Sequence, residues 1–355
     1  MRAEPPAHTA VSPVTEQMEE DMQLLAKGAL GALVLAVAAF SATMGMAQDK
    51  VTLRMVGSFP IGPSPTAEIG NKFMESVNRL GEGKVEITYL GASDVVPTFD
   101  QPEALVNGVF DVWYGAPNYW AGVVPGGDVT ELSPFKIADQ GPGSEIYEFL
   151  VGLFEEKGVR YLAHAAADVG VGTHFLSTNF EVDSIDDLSG KKIRVAPLLR
   201  HVVEAAGAEP ITLPPSDIYL AIERGTVDGF TWPVADGYTR NGWQTVTKYL
   251  VNQPMYRSGA GLAMNLAKWD SLSEEVQSIL LEAVVESQEF AHEWFAQNES
   301  EQMDLMKEGG MQVLDLPEEE SQKWDGVAND ALWEYYKGVM TEEQIAEVSR
   351  LLERE

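Results

Sequence analysis

Apolar and polar residues alternate at period two over residues 51–57 and, as Val-Glu-Ile-Thr-Tyr, within 84–90, which predicts two strands. Between them, residues 64–80 place Ala67, Phe73, Val77 and Leu80 at helical spacing. A helix over 102–107 leads into a third strand over 110–115. The run reads βαβαβ, the pattern of a parallel sheet with helices on its faces. A helix within 140–160 and a strand over 159–165 complete the first half. The second half repeats the logic, with strands over 191–196 and 227–232 and helices over 201–207 and 215–223.

The two halves also echo each other in detail. Asn107-Gly108-Val109-Phe110-Asp111 is followed by Trp113, Tyr114 and Pro117, and Arg224-Gly225-Thr226-Val227-Asp228 by Phe230, Trp232 and Pro233. In each, glycine closes a helix in the left-handed conformation, aspartate opens a strand, and aromatics follow near the strand's end. This predicts a molecule of two lobes. Residues 273–308 then hold helical spacing for far longer than one lobe needs, on the order of 50 Å at 1.5 Å per residue. The helix is expected to span both lobes, with a capping box at Ser271 and Glu274 and with Phe290, Trp294 and Phe295 as core. Two short helices, over 318–337 and 341–353, end the chain.

Composition narrows the function. With 24 Lys and Arg against 55 Asp and Glu, the formal charge is −31, so a sequence-independent grip on nucleic acid is excluded for want of clustered cations. The absence of cysteine removes disulfides, thiolate metal sites and cysteine nucleophiles, and five histidines supply metal chemistry poorly. Lys27 precedes an apolar run over 28–42, and Gly45-Met46-Ala47 fits a signal-peptidase site, so residues 1–47 are read as an upstream segment plus a leader cleaved near Ala47. Fifteen apolar residues fall short of a membrane span, which needs about 20. The polar, acidic start suits a leader badly, and the translation start is left open between Met1, Met18 and Met22. The exported chain keeps 22 bases against 50 acids, a charge of −28.

Candidate chemistry sits at strand ends, where parallel α/β sheets bind ligands. Arg194 stands between Ile193 and Val195 in a strand that reads as buried. A guanidinium there demands an anion, and its planar fork matches a carboxylate with two hydrogen bonds. A structural salt bridge is the alternative. His174 lies in a second strand, and Tyr114, Tyr119, Trp120, Phe230 and Trp232 fall near strand ends, where they suit a cleft gripping an organic body. No Gly-x-Ser-x-Gly elbow, dinucleotide glycine fingerprint, Walker loop or metal-spaced histidine pair is present, and no cofactor is called for.

The stretch Asp187-Leu-Ser-Gly-Lys-Lys-Ile-Arg194-Val, with Leu213-Pro-Pro-Ser-Asp-Ile-Tyr219 and the Val227-Asp228-Gly229 turn, resembles the extracytoplasmic solute-binding proteins of TRAP transporters, the DctP type. The resemblance covers essentially the whole exported chain. It implies a periplasmic binding protein of the type II-like α/β class, with two mixed or parallel sheets flanked by helices and one long helix crossing both lobes. Lobe boundaries follow at 48–171 with 260–305, and 172–259 with 306–355, hinged near 170–174 and 258–264. It implies a monomer that captures a small organic acid between its lobes and delivers it to a small and a large integral-membrane subunit. The arginine of the Lys-Lys-Ile-Arg strand, here Arg194, would pair with the ligand's carboxylate. Phe230 and Trp232 would line one lobe, and Ser58, Phe59, Tyr114 and Tyr119 the other. His174 stands where some sugar-acid binders carry a second arginine, and its charge is expected to follow pH. The aromatic content points to a monocarboxylate with an apolar or ring-bearing body, keto and hydroxy acids included. The competing classes are a secreted hydrolase or lyase using paired carboxylates, and a binding subunit of an ATP-driven importer or sensor.

Overall fold

The structure, a computed structural model, describes residues 50–61, 67–132, 141–165, 173–235, 237–257 and 259–352. The leader and its cleavage point lie outside them. The first half runs β1 (Val51–Gly57), α1 (Ala67–Leu80), β2 (Val85–Gly91), α2 (Gln101–Val106), β3 (Val112–Gly115), α3 (Glu145–Glu155) and β4 (Val159–Ala165). The second runs β5 (Thr173–Thr178), β6 (Lys192–Val195), α4 (Arg200–Ala205), β7 (Glu209–Thr212), α5 (Ile218–Glu223), β8 (Gly229–Pro233) and β9 (Tyr249–Arg257). There follow β10 (Ala260–Asn265), α6 (Leu266–Asp270), α7 (Glu274–Glu308), β11 (Gln312–Leu314), α8 (Glu318–Val339) and α9 (Glu342–Leu351).

These strands form two sheets, ordered β2-β1-β3-β10-β4 and β11-β9-β5-β8-β6-β7. In the first, β1 pairs in parallel with β2 and β3, and β10 lies antiparallel between β3 and β4. In the second, β6 pairs in parallel with β7 and β8, and β5 lies antiparallel between β8 and β9. Position for position, β2-β1-β3-β10-β4 corresponds to β7-β6-β8-β5-β9 in order and in sense. Each sheet receives its antiparallel fourth strand from chain that has just left the other sheet.

The sequence echo has a structural cause. Gly108 and Gly225 take φ of 70° and 66°, the left-handed region that glycine adopts without a Cβ penalty. Three residues later the aspartate closes a reciprocal pair on the neighbouring parallel strand. Asp111 N–H donates to the Arg54 carbonyl at 2.9 Å, and Arg54 N–H returns to the Asp111 carboxylate at 2.8 Å. Asp228 N–H donates to the Lys192 carbonyl at 2.7 Å, and Lys192 N–H returns to the Asp228 carboxylate at 2.8 Å. The motif sets where β1 meets β3 and where β6 meets β8. In this correspondence Arg194 of the second sheet occupies the place of Val56 in the first.

Helix α7 spans 35 residues, about 52 Å. Near its start, Glu286 accepts from Ser76 and Arg79 of α1, against the first sheet. Some four turns on, Gln302 accepts from the N–H and hydroxyl of Thr239, in chain that follows β8 of the second. The expected capping box is not formed. Ser273 is the N-cap, its side chain accepting from Val276 N–H, while Ser271 ends α6 and donates to the Lys268 carbonyl. Two short-range demands compete at 271–274, and the end of α6 claims the first serine.

The tail engages both halves. Helix α8 packs on α4 and β9, with His201 and Tyr335 stacked at 4.4 Å, and its Tyr336 hydroxyl donates to Asp128 of the first half at 3.1 Å. On α9, Arg350 pairs with Glu145 beside α3. Among the described residues, no helix is long and apolar enough to cross a membrane.

Candidate functional site

The C-terminal ends of the corresponding strands converge on one small, open-mouthed cavity. Phe59 beyond β1 and Ala116, Asn118 and Tyr119 beyond β3 form the wall from the first sheet. Ala196 beyond β6, Trp232 and Pro233 of β8, and His174 of β5 form the wall from the second, while Gly259 and Phe295 complete the lining. Phe59 and Trp232 meet edge to face at 6.2 Å between centroids, so the aromatic surfaces of the two sheets touch across the cleft.

Arg194 is fully buried. Its Nε and Nη2 donate to the Leu213 carbonyl at 2.8 and 2.6 Å, its Nη1 to the Thr231 carbonyl at 3.3 Å, and its guanidinium carbon lies 5.4 Å from the Trp232 ring centroid. These carbonyls hold the plane of the fork. Ala196, two residues on, carries the same strand's path to the cavity wall.

His174 is buried beside this charge, its ring 6.3 Å from Trp232. Burial, and then the neighbouring Arg194, push its pKa well below the ordinary value. The expectation that its charge follows ambient pH is thereby corrected: the imidazole is neutral, since a second cation next to a buried guanidinium is opposed by both desolvation and repulsion. Facing it, Asn118 donates to buried Glu131 at 3.5 Å.

Other expected residues sit one layer back. The Ser58 hydroxyl donates to Gln101 at 2.8 Å, and the Tyr114 hydroxyl to the Phe59 carbonyl, so these two fix the loop that presents the Phe59 ring. Phe230 stacks on Tyr238 at 5.5 Å and meets Trp243 at 5.2 Å, in the layer that backs Trp232. Trp120 packs on Trp113 and Phe154 in the first core. The helix stripe read as core divides: Phe290 and Trp294 are half-buried, whereas Phe295 is buried and lines the cavity. Sequence reasoning missed Asn118 as well, although a Pro-Asn pair just past an aromatic strand end was its visible signal.

Among the described residues, those lining the cavity include no Asp, Glu, Ser, Thr or Cys. No cluster of three or more potential metal ligands occurs among the described residues. What the arrangement offers is an aromatic slot, with the Arg194 guanidinium buried behind the Trp232 ring and outside the residues that line the cavity.

Residues 63–338 match the sequence profile of the bacterial extracellular solute-binding proteins, family 7, DctP. The chain belongs to this family. As a family 7 solute-binding protein it is 25% identical over 246 residues to the monocarboxylate 2-oxoacid-binding periplasmic protein of Nostoc sp., a match spanning 67% of this chain and 66% of that relative. It is 25% identical over 317 residues to the C4-dicarboxylate-binding periplasmic protein DctP of Rhodobacter capsulatus, covering 86% of this chain and 92% of that one. Its fold matches the crystal structure of a TRAP periplasmic solute binding protein from Desulfovibrio salexigens with bound orotic acid. There the TM-score is 0.76 at 22% identity, over 86% of this chain and 98% of that one. The chain is thus a solute-binding protein with the two-lobed α/β fold of the TRAP periplasmic binding proteins.

Proposed function

We propose that this protein captures a small organic monocarboxylate in the periplasm, after removal of its leader near Ala47, and delivers it as a monomer to TRAP membrane subunits. In this reading the ligand's carboxylate meets the Arg194 guanidinium, His174 and Asn118 add neutral hydrogen bonds, and Phe59, Tyr119 and Trp232 clasp an apolar or planar body. Residues 48–171 with 260–305 close on residues 172–259 with 306–355. The observation that carries the reading is a buried guanidinium, fixed by carbonyls, against the aromatic wall of a cavity between two sheets. The 2-oxoacid-binding relative and the orotate-bound neighbour support an acid of this kind. The dicarboxylate-binding relative favours a ligand with two charges. Against that ligand, Arg194 is the single cation that this reading assigns to the site, and its fork matches one carboxylate.

The test is calorimetric titration with pyruvate, orotate, succinate and galacturonate on the wild type and on Arg194→Ala. Pyruvate, orotate or both are expected to bind the wild type, with affinity falling at least 100-fold in the variant while its circular dichroism stays native. Affinity in that variant within a few-fold of wild type, or binding of succinate or galacturonate alone, refutes the assignment.

A further inference from the structure

Phe295 belongs to a small apolar cluster separate from the main core. Its partners are Ile69 of α1, Ala235 just past β8, Ala260 at the start of β10 and Ala291 one turn earlier on α7. Three of these four are alanines. The cluster lies where the chain returns from the second sheet to the first, next to Gly259, which also lines the cavity. Phe295 thus lines the ligand space and is backed by a patch made mostly of short side chains. Trp294 meets the ring edge to face at 5.4 Å and fixes its orientation.

We propose that Phe295 sets the size limit of the ligand, its ring on α7 forming the end of the cavity against which the body of the acid stops. The proposal rests on the cavity being the acid-binding site, and it assigns specificity to a helix whose sequence reads as purely structural. Because alanine neighbours cannot collapse into the space, shortening Phe295 extends the cavity into the cluster instead of healing it. Enlarging it fills the end of the slot.

The test measures affinity for linear 2-oxo acids from pyruvate to 2-oxooctanoate, and for phenylpyruvate, on the wild type, Phe295→Ala, Phe295→Leu and Phe295→Trp. The wild type is expected to favour the short members. Phe295→Ala should gain at least tenfold for 2-oxohexanoate or phenylpyruvate relative to pyruvate, Phe295→Leu a smaller gain in the same direction, and Phe295→Trp a loss confined to the longer acids. The Leu and Trp variants keep an apolar side chain in the cluster and decide the matter by themselves if Phe295→Ala does not fold. A uniform loss across the series, or a length profile unchanged from wild type, overturns the role of Phe295 and leaves the site intact. Failure of the wild type to bind any of these acids overturns the reading of the site, and this inference with it.

Discussion

Asp128 has no exposed surface, accepts a hydrogen bond from Tyr336 on α8, and has Glu131 and Tyr335 as its ionisable neighbours. Burial raises its pKa to about 7, against the lowering effect of the Tyr336 hydroxyl. The folded state therefore keeps a proton that the unfolded chain loses near 3.8. The stability contributed by this neutral carboxyl is complete below that value and is lost as pH rises through about 7. Asp128→Asn holds the group neutral at every pH and keeps an oxygen for Tyr336. Urea unfolding at pH 8 should find the variant more stable than wild type by roughly 2–4 kcal/mol, with the difference nearly gone at pH 4. Equal stability at pH 8 would show that the carboxyl is ionised without penalty. Among 55 acids, sequence offers no mark that separates Asp128 from a solvated one. Arg194 was legible because apolar Ile193 and Val195 flank a lone cation in a strand pattern. Phe295 was not, since an aromatic at helical spacing reads the same whether it faces a core or a cavity.

Elements were legible where periodicity ran long, and hidden where pairing overrode it. Strand β7 has four residues, with only Ile211 of strong strand-forming apolar character, and carries Pro210, which is tolerated because β7 is an edge strand. Strand β9 carries Pro254 in the stretch where its pairing with β5 shifts register, so a proline that argues against a strand falls where no regular ladder is needed. Strand β11 has three residues and exists only through parallel pairing with β9. The start of α7 tests the local logic directly. Ser273→Ala removes the side chain that accepts from Val276 N–H and should lower stability by about 1 kcal/mol. Ser271→Ala loses an exposed bond to a carbonyl and should stay within about 0.5 kcal/mol of wild type. Denaturant midpoints with unchanged m-values check both, and the reverse order of effects would restore the cap to Ser271.

At the scale of the molecule, the two halves share one arrangement of strands, and the glycine–aspartate echo makes that repeat readable in the sequence. What the echo could not convey is how the halves are joined. The chain passes between sheets from β4 to β5 and from β9 to β10, and α7 leads on from the first sheet to β11 of the second. Helix α8 lies on the second sheet while Tyr336 reaches Asp128 in the first half. A ligand stabilises closure about these links only by contacting both walls better in the closed state than in the open one. In the proposed site Trp232 and Arg194 come from the second sheet, and Phe59 and Tyr119 from segments that follow strands of the first, so an acid held there would be touched from both sides. Binding at a concentration 100-fold above Kd adds about 2.7 kcal/mol to stability. It should also lower the radius of gyration measured by small-angle scattering. Arg194→Ala, given the same acid at the same concentration, should show neither change. If the wild type gains the stability while its scattering curve is unmoved, the acid binds to halves already in their final arrangement, and closure is not how this protein holds its ligand.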